Sequence, residues 1–154
     1  MPAADEIEVN LRAASPADKE FLWWLHRATM REYVDQTWGW DDNWQRSRFE
    51  KNFDPSSIQI IESKQHPIGI LFVQNRTNET FLAAIEIAPE FQNRGIGSQL
   101  IAQLISNSDR AHLPVRLSVL KVNPARRLYE RLGFQRVEET ETHYIMVRLP
   151  AAPE

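Results

Sequence analysis

From Phe81 to Ala88 the chain is almost wholly apolar. It then turns through Pro89-Glu90-Phe91-Gln92-Asn93-Arg94 into Gly95-Ile96-Gly97-Ser98, after which Leu100, Ile101, Leu104 and Ile105 continue the spacing of Ile96. An apolar run of strand length, a short polar turn and a 3.6-residue apolar period describe a strand, a tight turn and an amphipathic helix. The first amides of such a helix have no partner inside it and lie at the positive end of its dipole, so the helix mouth favours an anion. Gly95 and Gly97 carry no side chains that would hold a phosphate away from those amides. The same pattern also suits a glycine-softened helix start with no ligand.

Spacing separates the known phosphate loops. A nucleotide P-loop needs Gly-x-x-x-x-Gly-Lys followed by Ser or Thr, which this turn lacks. A dinucleotide fingerprint needs a third glycine where Leu100 stands, and belongs near the first strand of a βαβ unit. What remains is Gln92-x-x-Gly95-x-Gly97.

A second motif follows. Leu117 to Val122 is a strand, and Asn123-Pro124 opens a helix through Ala125, Arg126, Leu128, Tyr129 and Leu132 that Gly133 closes before Phe134. Asn suits an N-cap, Pro the first helical position and Gly the C-cap. These two motifs, in this order and separation, resemble the GNAT superfamily of N-acetyltransferases. The likeness is specific over residues 57 to 149; residues 1 to 56 match the outline of a first strand and two helices.

The resemblance implies a fold and a cofactor. The fold is mixed α/β (α+β), with a central mostly antiparallel sheet, strands 4 and 5 splayed, about four helices and the order βααβββαβαββ. Acetyl-CoA is the implied co-substrate. Backbone groups of Ile85, Ile87 and Ala88 would pair with its pantetheine amides, the loop Gln92, Asn93, Arg94, Gly95, Ile96, Gly97 and Ser98 would take its pyrophosphate, and Asn123 would contact its pantetheine arm. Arg94 could add a charge-assisted contact. Tyr129 would be the general acid to the CoA sulfur, although an aromatic on the face of Ala125, Leu128 and Leu132 also suits a core.

Acetyl transfer to an amine needs the nucleophile deprotonated. Glu86, on one strand face with Leu82, Ala84 and Ala88, is the candidate base, because a carboxylate in an apolar row resists ionisation. Ser118 stands where some relatives carry a glutamate. The four histidines, His26, His66, His112 and His143, lack metal-ligand spacing and read as helix-surface, turn or strand residues, so no metal is expected. Between the first two helices, Trp38, Trp40 and Asp41 lie where the superfamily builds its acceptor cleft and could cage an ammonium group. Tryptophan packing and a helix cap at Asp41 or Asp42 read equally from those residues.

Composition narrows the chemistry. With no cysteine, an acyl-Cys intermediate and thiolate metal sites are excluded, so acyl transfer is direct or passes through another residue. A net charge of -3 from 18 basic and 21 acidic residues gives no pull toward nucleic acid or anionic membrane. Met1 to Glu6 is polar and acidic, unlike a signal peptide, and no apolar run reaches spanning length, so a cytoplasmic protein is the expectation. The length of 154 residues suits one domain over residues 1–150 with a frayed tail at 151–154.

The elements are expected as a strand over Ile7–Leu11, a helix capped by Ser15 to Asp18 and a second helix reaching Phe53. Strands Ile58–Glu62, Ile68–Gln74 and Thr80–Ala88 follow, joined by turns at His66-Pro67 and 75–78. Then come a helix over Gly95–Asp109, a strand over Val115–Leu120, a helix over Ala125–Leu132 and two final strands. The functional expectation is acetylation of a small-molecule primary amine. The alternatives are a protein N-terminus or lysine as acceptor, or a non-catalytic acyl-CoA-binding module. Association as a homodimer stays open.

Overall fold

The computed structural model describes residues 7–151. Its elements run β1 (Asn10–Ala13), α1 (Lys19–Trp38), α2 (Asp42–Asn52), β2 (Ile58–Ser63), β3 (His66–Asn75), β4 (Thr80–Ile87), α3 (Ile96–Arg110), β5 (Val115–Leu120), α4 (Ala125–Arg131), β6 (Gln135–Glu139) and β7 (His143–Arg148). The strands form one sheet in the order β1-β2-β3-β4-β5-β7-β6. Antiparallel ladders join β1 to β2, β2 to β3, β5 to β7 and β6 to β7, while β4 and β5 pair in parallel. That parallel ladder registers Thr80–Leu82 against Val115–Leu117.

The chain packs as two compact units, Met1–Phe72 with Ala84–Ile96 and Val73–Ala83 with Gly97–Glu154. In the first, Leu22 and Leu25 of α1 join Ile60, Ile70 and Ala88 in a buried cluster flanked by Phe21, Phe49, Phe53, Ala84 and Phe91. In the second, Ile101 and Ile105 of α3, Val115 and Leu117 of β5 and Met146 of β7 are buried. There the Ser108 hydroxyl donates to the Thr80 hydroxyl at 2.7 Å, which satisfies both buried groups.

The start of α1 is fixed by charge as well as capping. Ser15 and Asp18 form a reciprocal capping box, and the Asp18 carboxylate accepts from both terminal nitrogens of Arg12 at 2.8 and 2.9 Å. Hydrogen bonds from the Arg12 guanidinium hold the Asp18 carboxyl below the usual range. A depressed folded-state pKa contributes stability above the ordinary aspartate range, and this is lost as pH falls through the folded value. Arg12→Ala should therefore cost about 2 kcal/mol at neutral pH in urea denaturation, and the difference from wild type should narrow on acidification. A constant difference across that range would assign the effect to packing instead.

Several boundaries depart from expectation. The first strand begins at Asn10 rather than Ile7, because its ladder partners are Gln59 to Glu62 and the pairing covers only four residues. The turn expected at His66-Pro67 lies two residues earlier: Lys64 and Gln65 take the left-handed conformation, with φ of 51° and 69°, and His66 pairs with Ser63. Pro67 stays in the strand opposite Glu62, beside the register shift between Ile61 and Glu62. Of the tail, only Ala151 is described, and it is not frayed, since its amide donates to Asp109 at 3.1 Å. The expectations for Met1–Glu6 and for residues 152–154 lie outside the described residues.

Candidate active site

The turn after β4 is held from behind. The Gln92 side-chain amide donates to the Ile87 carbonyl at 2.9 Å, tying the loop to the end of the strand it leaves. Asn93 and Gly95 both take positive φ, 63° and 82°, and the four residues Gln92 to Gly95 are exposed. Nothing stands within 4 Å of the place a Gly95 Cβ would occupy. The loop thus ends on α3 with an open approach to the first helical amides, which geometry leaves without partners inside the helix. A pyrophosphate fits that donor set. Arg94 is held with its guanidinium 5.7 Å from the Phe91 ring centre.

At the strand end, the Ala88 amide is not available to a ligand, because it donates to Ile68 O at 2.8 Å, and the Ala88 carbonyl already accepts from Phe91. The remaining expected strand positions are Ile85 and Ile87, both partly exposed.

In the second unit, a Gly97 Cβ would lie 3.9 Å from Leu128, so the first turn of α3 borders α4. Tyr129 follows Leu128 and is buried, with its ring edge-on to Phe134 at 5.8 Å. Burial pushes the Tyr129 phenol up to about 12, so it keeps its proton at neutral pH. Asn123 caps as expected in function though not in position: its Oδ1 accepts from the Ala125 amide at 2.9 Å, while Pro124 is the residue at the helix boundary. That leaves the Asn123 amide nitrogen as a donor. Gly133, with φ of 96°, follows the end of α4.

Gly97→Val tests the phosphate cradle. It should weaken acetyl-CoA binding by about 10-fold or more in calorimetry, some 1.4 kcal/mol, with a smaller change in stability because Leu128 sits only at ordinary contact distance. Unchanged affinity in the folded variant would remove the cradle.

Glu86 has a neighbour that the sequence placed elsewhere. Glu86 is mostly buried, and the Nδ1 of His26 lies 3.6 Å from its Oε2. His26, expected on the helix surface, instead packs with ring centres 6.3 Å from Trp23 and 5.9 Å from Trp40. The signal was there: His26 is four residues after buried Leu22 and one after Leu25, which puts it on the inward side of α1.

At the turn expected to cage an ammonium group, the side chains of Asp41 and Trp40 are engaged within the chain. Asp41 Oδ1 accepts from the Trp44 amide at 2.9 Å and caps α2. The Trp40 indole nitrogen donates to Asp42 at 3.1 Å, and the cation near the Trp40 ring is the guanidinium of Arg31, 5.9 Å from its centre. Trp38 is 61% exposed. Among the described residues no group of three or more His, Asp or Glu side chains could hold a metal, and no helix is long and apolar enough to cross a membrane.

The sequence model of the Acetyltransferase (GNAT) family matches residues 19–134, most of the chain and both motifs. The chain belongs to that family. It is 33% identical over 89 residues to the ribosomal protein bS18-alanine N-acetyltransferase of Haemophilus influenzae, a match covering 57% of this chain and 60% of that one. The PaiA N-acetyltransferase of Thermoplasma acidophilum, solved in complex with coenzyme A, has the same fold, with a TM-score of 0.72 at 18% identity over 93% of this chain and 99% of that chain. The ribosomal-protein-S18-alanine N-acetyltransferase of Escherichia coli superposes with a TM-score of 0.66 at 18% identity, covering 96% and 97%.

Proposed function

We propose that this GNAT enzyme acetylates the α-amino group at the N-terminus of a protein or peptide. The observation that carries this reading is the 33% identity over 89 residues to an enzyme named as a ribosomal protein-alanine N-acetyltransferase. The contacts of the Trp38 to Asp42 turn support it, since the carboxylate and the aromatic face that a small polyamine would use are engaged with Trp44 and Arg31. This replaces the small-molecule amine as the preferred acceptor.

When bound, acetyl-CoA supplies an activated acetyl thioester. The residues proposed to hold it are Ile85, Ile87, the loop Gln92 to Ser98 and Asn123. Glu86 is proposed to take a proton from the acceptor ammonium, and Tyr129, protonated at neutral pH, to serve as the general acid. We infer a cytoplasmic setting, where nascent proteins and acetyl-CoA meet.

A panel of hexapeptides differing in the first residue, alongside primary diamines and a peptide whose only amine is a lysine side chain, decides the acceptor. Release of free CoA should be fastest with an alanine-first peptide, with kcat/KM about 100-fold above any diamine. A diamine as the best substrate would return the enzyme to small-molecule chemistry.

A further inference from the structure

We propose that His26 carries the proton onward from Glu86 to solvent, so that the base is a carboxylate and imidazole acting in series. This rests on the reading of Glu86 as the base. The Glu86 side chain is only 12% exposed, whereas that of His26 is 33% exposed. A carboxyl so enclosed that has accepted a proton must lose it before the next acceptor arrives, and the group beside it with more access to water is the imidazole. Imidazole is also the side chain whose ordinary pKa lets it gain and lose a proton near neutrality.

Both partners are held. Trp23 and Trp40 flank the imidazole, and Trp40 is itself fixed by its amide donating to Asp35 and its indole donating to Asp42. The Glu86 backbone is packed against Gly69, where a Cβ would stand 2.4 Å from the Glu86 carbonyl oxygen. The separation of 3.6 Å is an ion contact, longer than a hydrogen bond, so a small rotation of either side chain brings Nδ1 to transfer distance. The charged groups around the imidazole are Glu86 from β4 and, across the Trp40 ring, Arg31 of α1 and Asp42 of α2. Arg27 of α1 turns instead to Asp42 and the Trp23 face.

The transfers balance. An N–H bond of the acceptor ammonium breaks as an O–H bond forms on Glu86, leaving the amine its lone pair. That O–H bond then breaks as an N–H bond forms at His26 Nδ1, regenerating the carboxylate. The imidazolium then loses one proton to water and exchange with solvent restores the tautomer with Nδ1 free, so one proton reaches solvent per acceptor deprotonated and His26 can accept again.

The test has two arms. In protein without cofactor, the His26 ring signals are compared by NMR at one fixed pH in wild type and Glu86→Gln; they should move when the neighbouring carboxylate is replaced by an amide. In the second arm, His26→Asn keeps a polar atom near the Nδ1 position but cannot carry a proton. Its kcat with acetyl-CoA and the alanine-first hexapeptide should fall about 10-fold at neutral pH, with KM for acetyl-CoA unchanged and the acidic limb of the rate profile altered. Added imidazole should restore turnover in His26→Ala.

Unmoved ring signals, or a His26→Asn profile that superimposes on wild type while Glu86→Gln is slow, overturn the relay and leave Glu86 as the base. Full turnover in Glu86→Gln removes Glu86 from the chemistry and the relay with it. Should the His26 variants fail to fold, the NMR arm still decides, because it alters only Glu86.

Discussion

Tyr129→Phe is expected to lower turnover about 100-fold while acetyl-CoA affinity holds, within the usual range for removing a general acid. The substitution keeps the ring, its burial and its edge-on contact with Phe134, so only the hydroxyl is lost. A second reading comes from alkaline pH. A folded-state phenol pushed up to about 12 contributes stability that is complete below the ordinary tyrosine pKa and is lost as pH rises through the folded value. Wild type should therefore lose stability relative to Tyr129→Phe between about pH 10 and 12. Equal turnover in the two proteins, with the alkaline difference intact, would make Tyr129 a core residue and nothing more.

Gly69→Ala is expected to be the most damaging single-methyl change in the molecule, costing about 1–3 kcal/mol in urea denaturation and lowering turnover together with stability. The added Cβ would stand 2.4 Å from the Glu86 carbonyl oxygen and 3.3 Å from both the Ile87 Cα and the Ile61 side chain. Two of those three are backbone, which cannot swing aside. The shift would fall on the strand that carries Glu86 and on the bond from Ala88 to Ile68. Gly39→Ala is the control: at φ of 84° and ψ of 147° with nothing within 4 Å, it meets only the penalty of a backbone region that glycine alone enters readily, and should lower stability without lowering turnover. If Gly69→Ala matches wild type in both stability and turnover, β4 is not held by this contact.

Much of this architecture could be read from the chain because local and long-range signals agree. The run from Val115 to Leu120 was bounded correctly at both ends, since its apolar residues are bracketed by Pro114 and by the Lys121 to Pro124 turn. The β2–β3 turn failed because its left-handed positions are occupied by Lys64 and Gln65, residues with no turn preference, while the nearby proline drew the turn toward itself. Proline is tolerated in that strand because it sits at a register shift.

At the candidate site, the tight turn into α3 is legible because glycine spacing marks it, with Gly95 at φ of 82°. The inward position of His26 is legible from its spacing to Leu22 and Leu25, but its partner Glu86 is not, because a residue contributed by a distant strand leaves no mark in a helical repeat. The turn at Trp38 to Asp42 carries residues compatible with two uses, and the contacts of Asp41 and Trp40 show the capping one.

The tether from Gln92 to Ile87 bears on what binding must organise. Fixing the backbone of one residue costs about 1–2 kcal/mol in lost freedom, so a glycine-containing loop ordered only by its ligand would give up much of the affinity its amides provide. Here that ordering is done during folding, by one side chain reaching back to the strand. Gln92→Ala should then act as a fault in preparation: each amide remains able to donate, yet the ligand must assemble them first, and association would become more temperature-sensitive while the chemistry at Tyr129 stays the same.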